Sequence, residues 1–457
     1  MKMHKVFPLL TIVIVSALGG CIGLPKKPTG NPKNYHPPDT GKFAWGISTS
    51  SYQYENPDVT KGENKYFSTD WDIMVKQHGA PKKGNALYSW TEFEKDLAAL
   101  KEIGATHYRF SIEWARIEPR PGVYDEKAIA QYVRMTRALK DAGIEPVVCL
   151  WHFTFPHWLY DTKHPTYSNW LHPDYPARWQ AYVNRMVHAF GPKIRFYAPQ
   201  NEPNGQITTA YLVGQWPPRQ VLNFGNYKKA IIASAEQFRA AAKIIKKYNP
   251  HAIVMSVEAL PWWKKSPIDF GNKIYDEMEH NNFDHLDRTY DVCDIIGFNY
   301  YYSQVSGPMT YLLAGTHKGP HYTMMGWTID PKGLYKQIKV VSARYGRPMM
   351  ITENGIATKD DKQRIKYIND HIGMILLAKK QGYDVRGYFV WSLADNYEWH
   401  YGYTANFGLG AMDPKTYERE LRPSAYFYRD VIRQNGRNIA LPEVKKRKKY
   451  SNSTPLM

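Results

Sequence analysis

Apolar positions follow two rhythms that alternate along most of the chain. Short, nearly continuous apolar runs predict strands over 43–49, 107–112, 146–152, 194–201, 252–258, 295–301, 349–354 and 386–391. Between them, apolar residues recur at i, i+3 and i+4, as Leu97, Leu100 and Ile103 do, and predict helices. The clearest helical stretches are 126–142, 179–190, 226–248, 331–345 and 362–381. Strands apolar on both faces are what a parallel sheet buried under helices requires. Eight strand–helix units in succession predict an α/β fold, a single (β/α)8 TIM barrel over 43–440, rather than an open sheet. No internal linker and no repeat of solenoid period breaks the series.

The two ends read differently. Lys2 and Lys5 precede a mostly apolar run over 6–18, and Leu18-Gly19-Gly20-Cys21 closes it with small residues. The run is too short for a bilayer core of about 30 Å, which takes about 20 residues. These features resemble a bacterial lipobox. The resemblance implies that 1–20 is a removed signal peptide and that Cys21 carries lipid; an ordinary cleaved signal beside a chance cysteine is the alternative. Residues 21–42, rich in Pro, Lys, Asn and Gly, read as a tether. Residues 441–457, with Lys445-Lys446-Arg447-Lys448-Lys449, read as a basic tail. The expectation is an exported protein of the cell envelope, held to a membrane by its lipid on the periplasmic or outer surface.

Composition refines this outline. At 457 residues, about 150 per domain would suggest three domains, but α/β barrels exceed that figure as single units. Hydrophobic residues at 43% exclude global disorder. The net charge of +18 raises the prospect of a nucleic-acid or anionic-surface partner. Residues 1–40 and 441–457 contribute +4 each, which leaves +10 on the body. The body has no zinc spacing, RNA-binding signature or helix-turn-helix pattern, so no specific nucleic-acid partner is expected, and no metal or cofactor. Three cysteines cannot form a disulfide framework, and Cys149 and Cys293 read as small buried hydrophobes. Fourteen percent aromatic residues, with 14 Trp and 35 Tyr, exceeds what a core alone needs and suggests stacking on sugars or bases.

Barrel active sites lie at the C-terminal strand ends. Gln53 follows the first predicted strand, Arg109 lies in the second, and Trp151-His152 end the third. Asn201-Glu202 end the fourth and Glu258 the fifth, with Asn299 and Tyr301 on the sixth, Glu353-Asn354 on the seventh and Trp391 on the eighth. Glu202 and Glu353 thus face each other across the mouth. Two opposed carboxylates suit glycosidic cleavage, one as nucleophile and the other as acid and then base. Arg109 is the cation that would keep the nucleophile ionised, the acid needs a raised pKa, and Asn201 is placed for a sugar 2-hydroxyl. Glu113, Glu258 and Glu398 are rival carboxylates; Glu258 reads as a salt-bridge or substrate contact. The plainer readings are rim ion pairs for the glutamates, a satisfied core position for His152, and core packing for Trp151, Trp391 and Trp399.

Over nearly all of residues 41–434 the chain resembles glycoside hydrolase family 1. The matching stretches are Phe43-Ala44-Trp45-Gly46 through Ser51-Tyr52-Gln53, Tyr108-Arg109-Phe110-Ser111-Ile112, Trp151-His152-Phe153 and Asn201-Glu202-Pro203. They continue with Gly297-Phe298-Asn299-Tyr300-Tyr301, Ile351-Thr352-Glu353-Asn354-Gly355, and Gly387 to Leu393 through Asp395-Asn396-Tyr397-Glu398-Trp399. Asn406-Phe407-Gly408-Leu409 and Pro423-Ser424-Ala425-Tyr426 close the match. The resemblance implies a retaining exo-β-glycosidase with Glu353 as nucleophile, Glu202 as acid/base, and Arg109 and Tyr301 tuning the nucleophile. Gln53, His152, Asn201, Asn299, Glu398 and Trp399 match sugar-binding positions, and Trp391 the platform under the ring. A carboxylate at Glu398 would repel a 6-phosphosugar, so an unphosphorylated β-glycoside or oligosaccharide is the implied substrate. Departures from the family pattern are Pro199-Gln200, Glu113 and a short stretch between Glu202 and Asn299 that holds Trp262-Trp263. The short stretch suggests an open leaving-group side with Trp262 or Trp263 as a stacking surface. A non-catalytic sugar-binding lipoprotein and a basic surface adhesin are the competing functions.

Overall fold

The computed structural model describes residues 35–57, 67–267, 269–307 and 317–443. The leader 1–20, Cys21 and the basic run 445–449 lie outside them. Eight parallel barrel strands follow the predicted order: β1 (Ala44–Ser48), β2 (His107–Ser111), β3 (Glu145–Cys149), β4 (Phe196–Ala198), β5, β6 (Ile296–Asn299), β7 (Met349–Asn354) and β8 (Val385–Trp391). The outer helices are α1 (Phe93–Ile103), α2 (Glu126–Asp141), α3 (Tyr175–Phe190), α4 (Phe224–Tyr248), α5 (Lys273–Thr289), α6 (Pro331–Tyr345), α7 (Asp361–Lys380) and α8 (Pro423–Arg433). Each follows the strand of its own number, as a right-handed crossover series requires.

β5 is where periodicity and structure differ. It splits into Ile253–Val254, paired with β4, and Glu258–Ala259, paired with β6. Between the pieces, the Ser256 hydroxyl accepts from the Gly297 N–H and donates to the Gly297 carbonyl, both at 3.1 Å. A side chain replaces the backbone ladder there, which an apolar run does not reveal. The barrel still closes, with Met255 bridged to Ile295.

Ala44, Val147, Phe196, Ile253, Met350 and Phe389 fill the barrel interior below the mouth. Gly46 is needed there, because a Cβ would lie 2.1 Å from the Phe389 ring. The aromatic surplus goes mainly into the shell between strands and helices. Ten of the 14 Trp are buried, so the composition reflects packing more than ligand stacking. Trp114, with Tyr182 at 5.1 Å and Trp179 at 5.6 Å between ring centroids, is the centre of one such cluster. Cys149 and Cys293 are buried and unpaired, as expected. No described helix is long and apolar enough to cross a membrane.

The segment entering β1 crosses the barrel floor. Tyr35 donates to the Asp294 carbonyl at 2.5 Å and lies under the Arg347 guanidinium, 4.1 Å from its ring centroid. Arg386 donates to the Pro38 carbonyl and Arg195 to that of Asp39. At the chain's other end, the hairpin Gly410–Met412/Arg419–Leu421 is tied to α1 by Arg419 Nε to Asp96 Oδ1 at 2.6 Å, with both side chains fully buried. Arg419→Ala would leave Asp96 buried without its cation. The expected loss in urea unfolding is about 3–5 kcal/mol. A loss below about 1 kcal/mol would show the pair to be dispensable.

Candidate active site

The site begins with a buried cation. Arg109, on β2 and fully buried, donates through Nη1 to Glu353 Oε1 at 2.5 Å and through Nη2 to Asn201 Oδ1. Tyr301 OH donates to the other oxygen, Glu353 Oε2, at 2.5 Å. Both oxygens of Glu353 are therefore held. Glu353 reaches this position through an irregularity in β7, whose register against β6 shifts between Ile351 and Glu353. Such shifts re-aim side chains beside functional sites. Gly355 lets the chain leave closely past β8, because a Cβ would lie 2.0 Å from the Trp391 carbonyl oxygen.

Glu202 has φ +44° and caps the helix Pro203–Tyr211, with proline at its first turn. A non-glycine residue in this left-handed region is strained, and such strain clusters at functional sites. The backbone is held there by the Glu202 N–H donating to the Val257 carbonyl at 2.7 Å. Asn299 Nδ2 donates to Glu202 Oε1 at 2.7 Å, and its own carbonyl oxygen accepts from Thr352 Oγ1 at 2.7 Å. Burial first, then the Glu353 charge, push the Glu202 carboxyl up to about 8, against the lowering pull of the Asn299 hydrogen bond and Arg109.

Asn201 links these groups to His152. Because its carbonyl accepts from Arg109, its Nδ2 points to His152 Nε2, 3.3 Å away. Burial, reinforced by Arg109, holds His152 well below its usual pKa and therefore neutral. With Nε2 accepting, the proton sits on Nδ1, which is buried without a partner among the described residues. Gln53 Nε2 donates to Asn396 Oδ1 at 2.9 Å, the Tyr397 carbonyl at 2.8 Å and Glu398 Oε2 at 3.2 Å, while Gln53 Oε1 accepts from Ser50. Burial and then the Glu353 charge push Glu398 up to about 8.

Indole rings wall the space. Trp391 stacks on the His152 ring at 5.9 Å. Trp399 stacks on Tyr52 at 5.6 Å and is flanked by Trp71, Phe153 and Trp216. Gln53, Arg109, His152, Asn201, Glu202, Asn299, Tyr301, Glu353, Trp391, Glu398 and Trp399 therefore meet at one mouth. Asn396, Thr352, Phe153 and Trp216 also belong to its framework. The first three lay inside quoted motifs without a role; Trp216 lies in none, and only the packing reveals it.

Other expectations sort differently. Glu258 is buried against His285 Nδ1 at 2.7 Å, which makes it a structural partner rather than a mouth group. Gln200 faces α4, exchanging hydrogen bonds with Ser234. Glu113 lies behind the site, accepting from Thr154 and the Ala115 N–H. Trp263 is buried and donates to Asn282 at 3.2 Å, and Lys336 lies over Trp262 at 5.3 Å. Neither offers the free stacking face expected of it. Among the described residues no cluster of His, Cys, Asp and Glu is arranged to hold a metal.

A barrel whose mouth opposes two carboxylates amid amides, an imidazole and indoles defines an O-glycosyl hydrolase. The chain belongs to glycosyl hydrolase family 1, whose family model it matches over residues 38–269 and 271–437. It is 28% identical to beta-glucosidase 47 of Arabidopsis thaliana, over 86% of this chain and 84% of that protein. Among solved structures, the beta-glycosidase of Pyrococcus horikoshii superposes with a TM-score of 0.75 at 30% identity, covering 89% of this chain and 95% of that one. The beta-glucosidase of Thermotoga maritima in complex with isofagomine lactam does so with a TM-score of 0.74 at 25% identity, covering 88% and 100%.

The raised pKa of Glu202 has a consequence for stability. Between about 4.5 and 8 the folded chain holds a proton there that the unfolded chain has lost, so this group's stabilising contribution falls as pH rises through that window. Glu202→Gln removes the titration. It is expected to raise Tm more at pH 9 than at pH 5, by about 2 °C or more. Equal shifts at both pH values would place the Glu202 pKa in the ordinary range.

Proposed function

We propose that the chain cleaves the non-reducing terminal residue of unphosphorylated β-glucosides with retention, Glu353 acting as nucleophile and Glu202 as acid and then base. The supporting observation is the asymmetry between the two carboxylates. Glu353 is gripped by Arg109 and Tyr301, while Glu202 carries a raised pKa and so keeps its proton near neutrality. In the first step Glu353 forms a bond to the anomeric carbon, the glycosidic C–O bond breaks, and Glu202 delivers its proton to the leaving oxygen. Forming the ester removes the Glu353 charge that had raised the Glu202 pKa. Glu202 then accepts a proton from water, the water oxygen bonds to the anomeric carbon, and Glu353 is released.

The rest of the mouth suits the hydroxyls of one sugar ring. The His152 Nδ1–H lacks a partner until a hydroxyl arrives, and Gln53 and Glu398 form a joined donor–acceptor pair. Asn201 lies beside Glu202 where a 2-hydroxyl would sit, and Trp391 offers an apolar face. Glu398, set against Gln53 and the Glu353 charge, offers a phosphate no cation at that position. The glucoside preference rests on the beta-glucosidases among the relatives.

We further propose that Cys21 is lipidated after removal of 1–20 and anchors the enzyme in the cell envelope. A charged start, an apolar run and Leu18-Gly19-Gly20-Cys21 in the right order support this. In a bacterial host fed radiolabelled palmitate, the wild-type chain is expected to carry label and Cys21→Ala none. An unlabelled wild-type chain would remove the anchor.

Glu353→Ala is expected to lower kcat by about ten-thousandfold or more, with azide restoring turnover and yielding the α-glycosyl azide. Glu202→Ala with azide should give the β-glycosyl azide, because Glu353 still forms the intermediate. Anomeric couplings by NMR distinguish the products. The opposite pairing would reverse the two roles.

A further inference from the structure

We propose that the barrel floor is a docking surface for anionic lipid, so that the enzyme rests floor-down on its membrane with the catalytic mouth facing away. The inference rests in part on the anchor reading and extends it to an orientation. Its first support is the path of residues 35–42. They are held under the barrel at Asp294, Arg347 and Arg195, which precede β6, β7 and β4, and at Arg386, the second residue of β8. The chain therefore reaches Cys21 from the floor. A flexible chain of fourteen residues, the length in sequence from Cys21 to Asn34, would have an r.m.s. span of about 20 Å. The wall is of similar height, since α6, with 15 residues, is about 22 Å long. Mouth-down placement would need the tether stretched round the outside of the barrel.

The second support is charge. The outer helices run against the strands, so their C-termini meet the floor. α2, α4 and α7 end there with Lys140, Lys246-Lys247 and Lys379-Lys380. Basic residues favour helix C-termini in any case, but their charges still project from this face. Three acids nearby are already paired, Asp294 with Lys246 at 2.7 Å, Asp384 with Arg386 at 2.8 Å and Asp291 with Arg239 at 2.5 Å, while Asp141 at the end of α2 and Glu102 near the end of α1 are exposed and offset part of the charge. Asp39, on the strap itself, accepts from the Gly41 N–H instead. Lys42, Lys193, Lys247 and Lys380 are exposed and have no carboxylate partner among the described residues. At the mouth, by contrast, the buried Arg109 is already paired with Glu353, and the protonated Glu202 and Glu398 offer an anionic headgroup no cation. The opposite orientation has one physical competitor in its favour. Ala440, Leu441 and Pro442 lie beside Asp330 and Lys332 at the mouth end of α6, so the described chain ends toward the mouth.

The test uses the chain from Ile22 onward, which contains the whole described barrel and lacks Cys21, so its outcome is independent of lipidation. Binding is measured to vesicles of phosphatidylglycerol and phosphatidylcholine in equal parts, and to phosphatidylcholine alone. Changing Lys42, Lys193, Lys247 and Lys380 together to Glu is expected to cut partitioning to the anionic vesicles by about tenfold or more. The same four changed to Gln serve as a gentler variant, and turnover of an aryl glycoside reports that each variant is folded. Orientation is read by energy transfer to a lipid-borne acceptor from a dye on Lys380→Cys at the floor or on Tyr167→Cys at the mouth, Cys149 and Cys293 being buried. The floor dye is expected to be quenched more. A smaller loss of binding in the folded variants, equal binding to both vesicle types, or equal or stronger quenching at the mouth overturns the proposal. Loss of palmitate labelling with this result intact would refute the anchor alone.

Discussion

The guanidinium of Arg109 is fully buried, and a buried cation is tolerated only where its donors are taken up by well-placed acceptors. Glu353 and Asn201 accept from its two Nη groups, Nε being without a partner among the described residues, and the rest of the site is arranged around those two contacts. The Asn201 amide can face only one way once its carbonyl accepts from Arg109. Its Nδ2 then selects the His152 tautomer and leaves the Nδ1–H buried without a partner among the described residues. The other oxygen of Glu353 is left for Tyr301, and burial, reinforced by the Glu353 charge, raises Glu202 and Glu398. One ion pair thus sets orientation, tautomer and proton affinity across the mouth.

Those three carboxylates share a confined space with one arginine, and that sharing is chemically useful. Like charges in a dry cavity cannot all be ionised at little cost. The proton is retained where the site gives the carboxylate least support, at Glu202 and Glu398. In the proposed cycle, esterifying Glu353 relaxes this constraint at the moment when Glu202 must switch from donor to acceptor. The strained left-handed backbone at Glu202, pinned through the Val257 carbonyl, keeps that carboxyl facing its partner.

The two ends of the barrel carry different ionisable groups for separate reasons. Strand C-termini deliver the acids of the mouth. Helix C-termini attract basic residues through the macrodipole, and they meet at the floor. The +18 of the whole chain is divided between its ends, at +4 each, and the body, whose helix C-termini carry part of it at the floor. That division accounts better for the charge than a nucleic-acid partner does. The aromatic surplus has a similar history: most tryptophans pack the shell between strands and helices, and only a few edges reach the mouth.

How much the sequence alone determined follows from which interactions are local. Strand and helix order, the barrel, and the arrival of Glu202, Glu353, Arg109, Asn299 and His152 at strand ends were legible, because a buried parallel sheet imposes its period on every unit. The motifs around those residues also carried their family. What tertiary structure decided was everything that depends on partners distant in the chain. Ser256 breaks β5 because it meets Gly297, Glu258 is withdrawn from the mouth because His285 reaches it, and Trp263 is buried because Asn282 takes its indole N–H. The raised pKa of Glu202, the tautomer of His152, the role of Trp216 and the strap across the floor likewise have no periodic signature. They arise from desolvation and from contacts between residues far apart in sequence, which exist only once the barrel has closed.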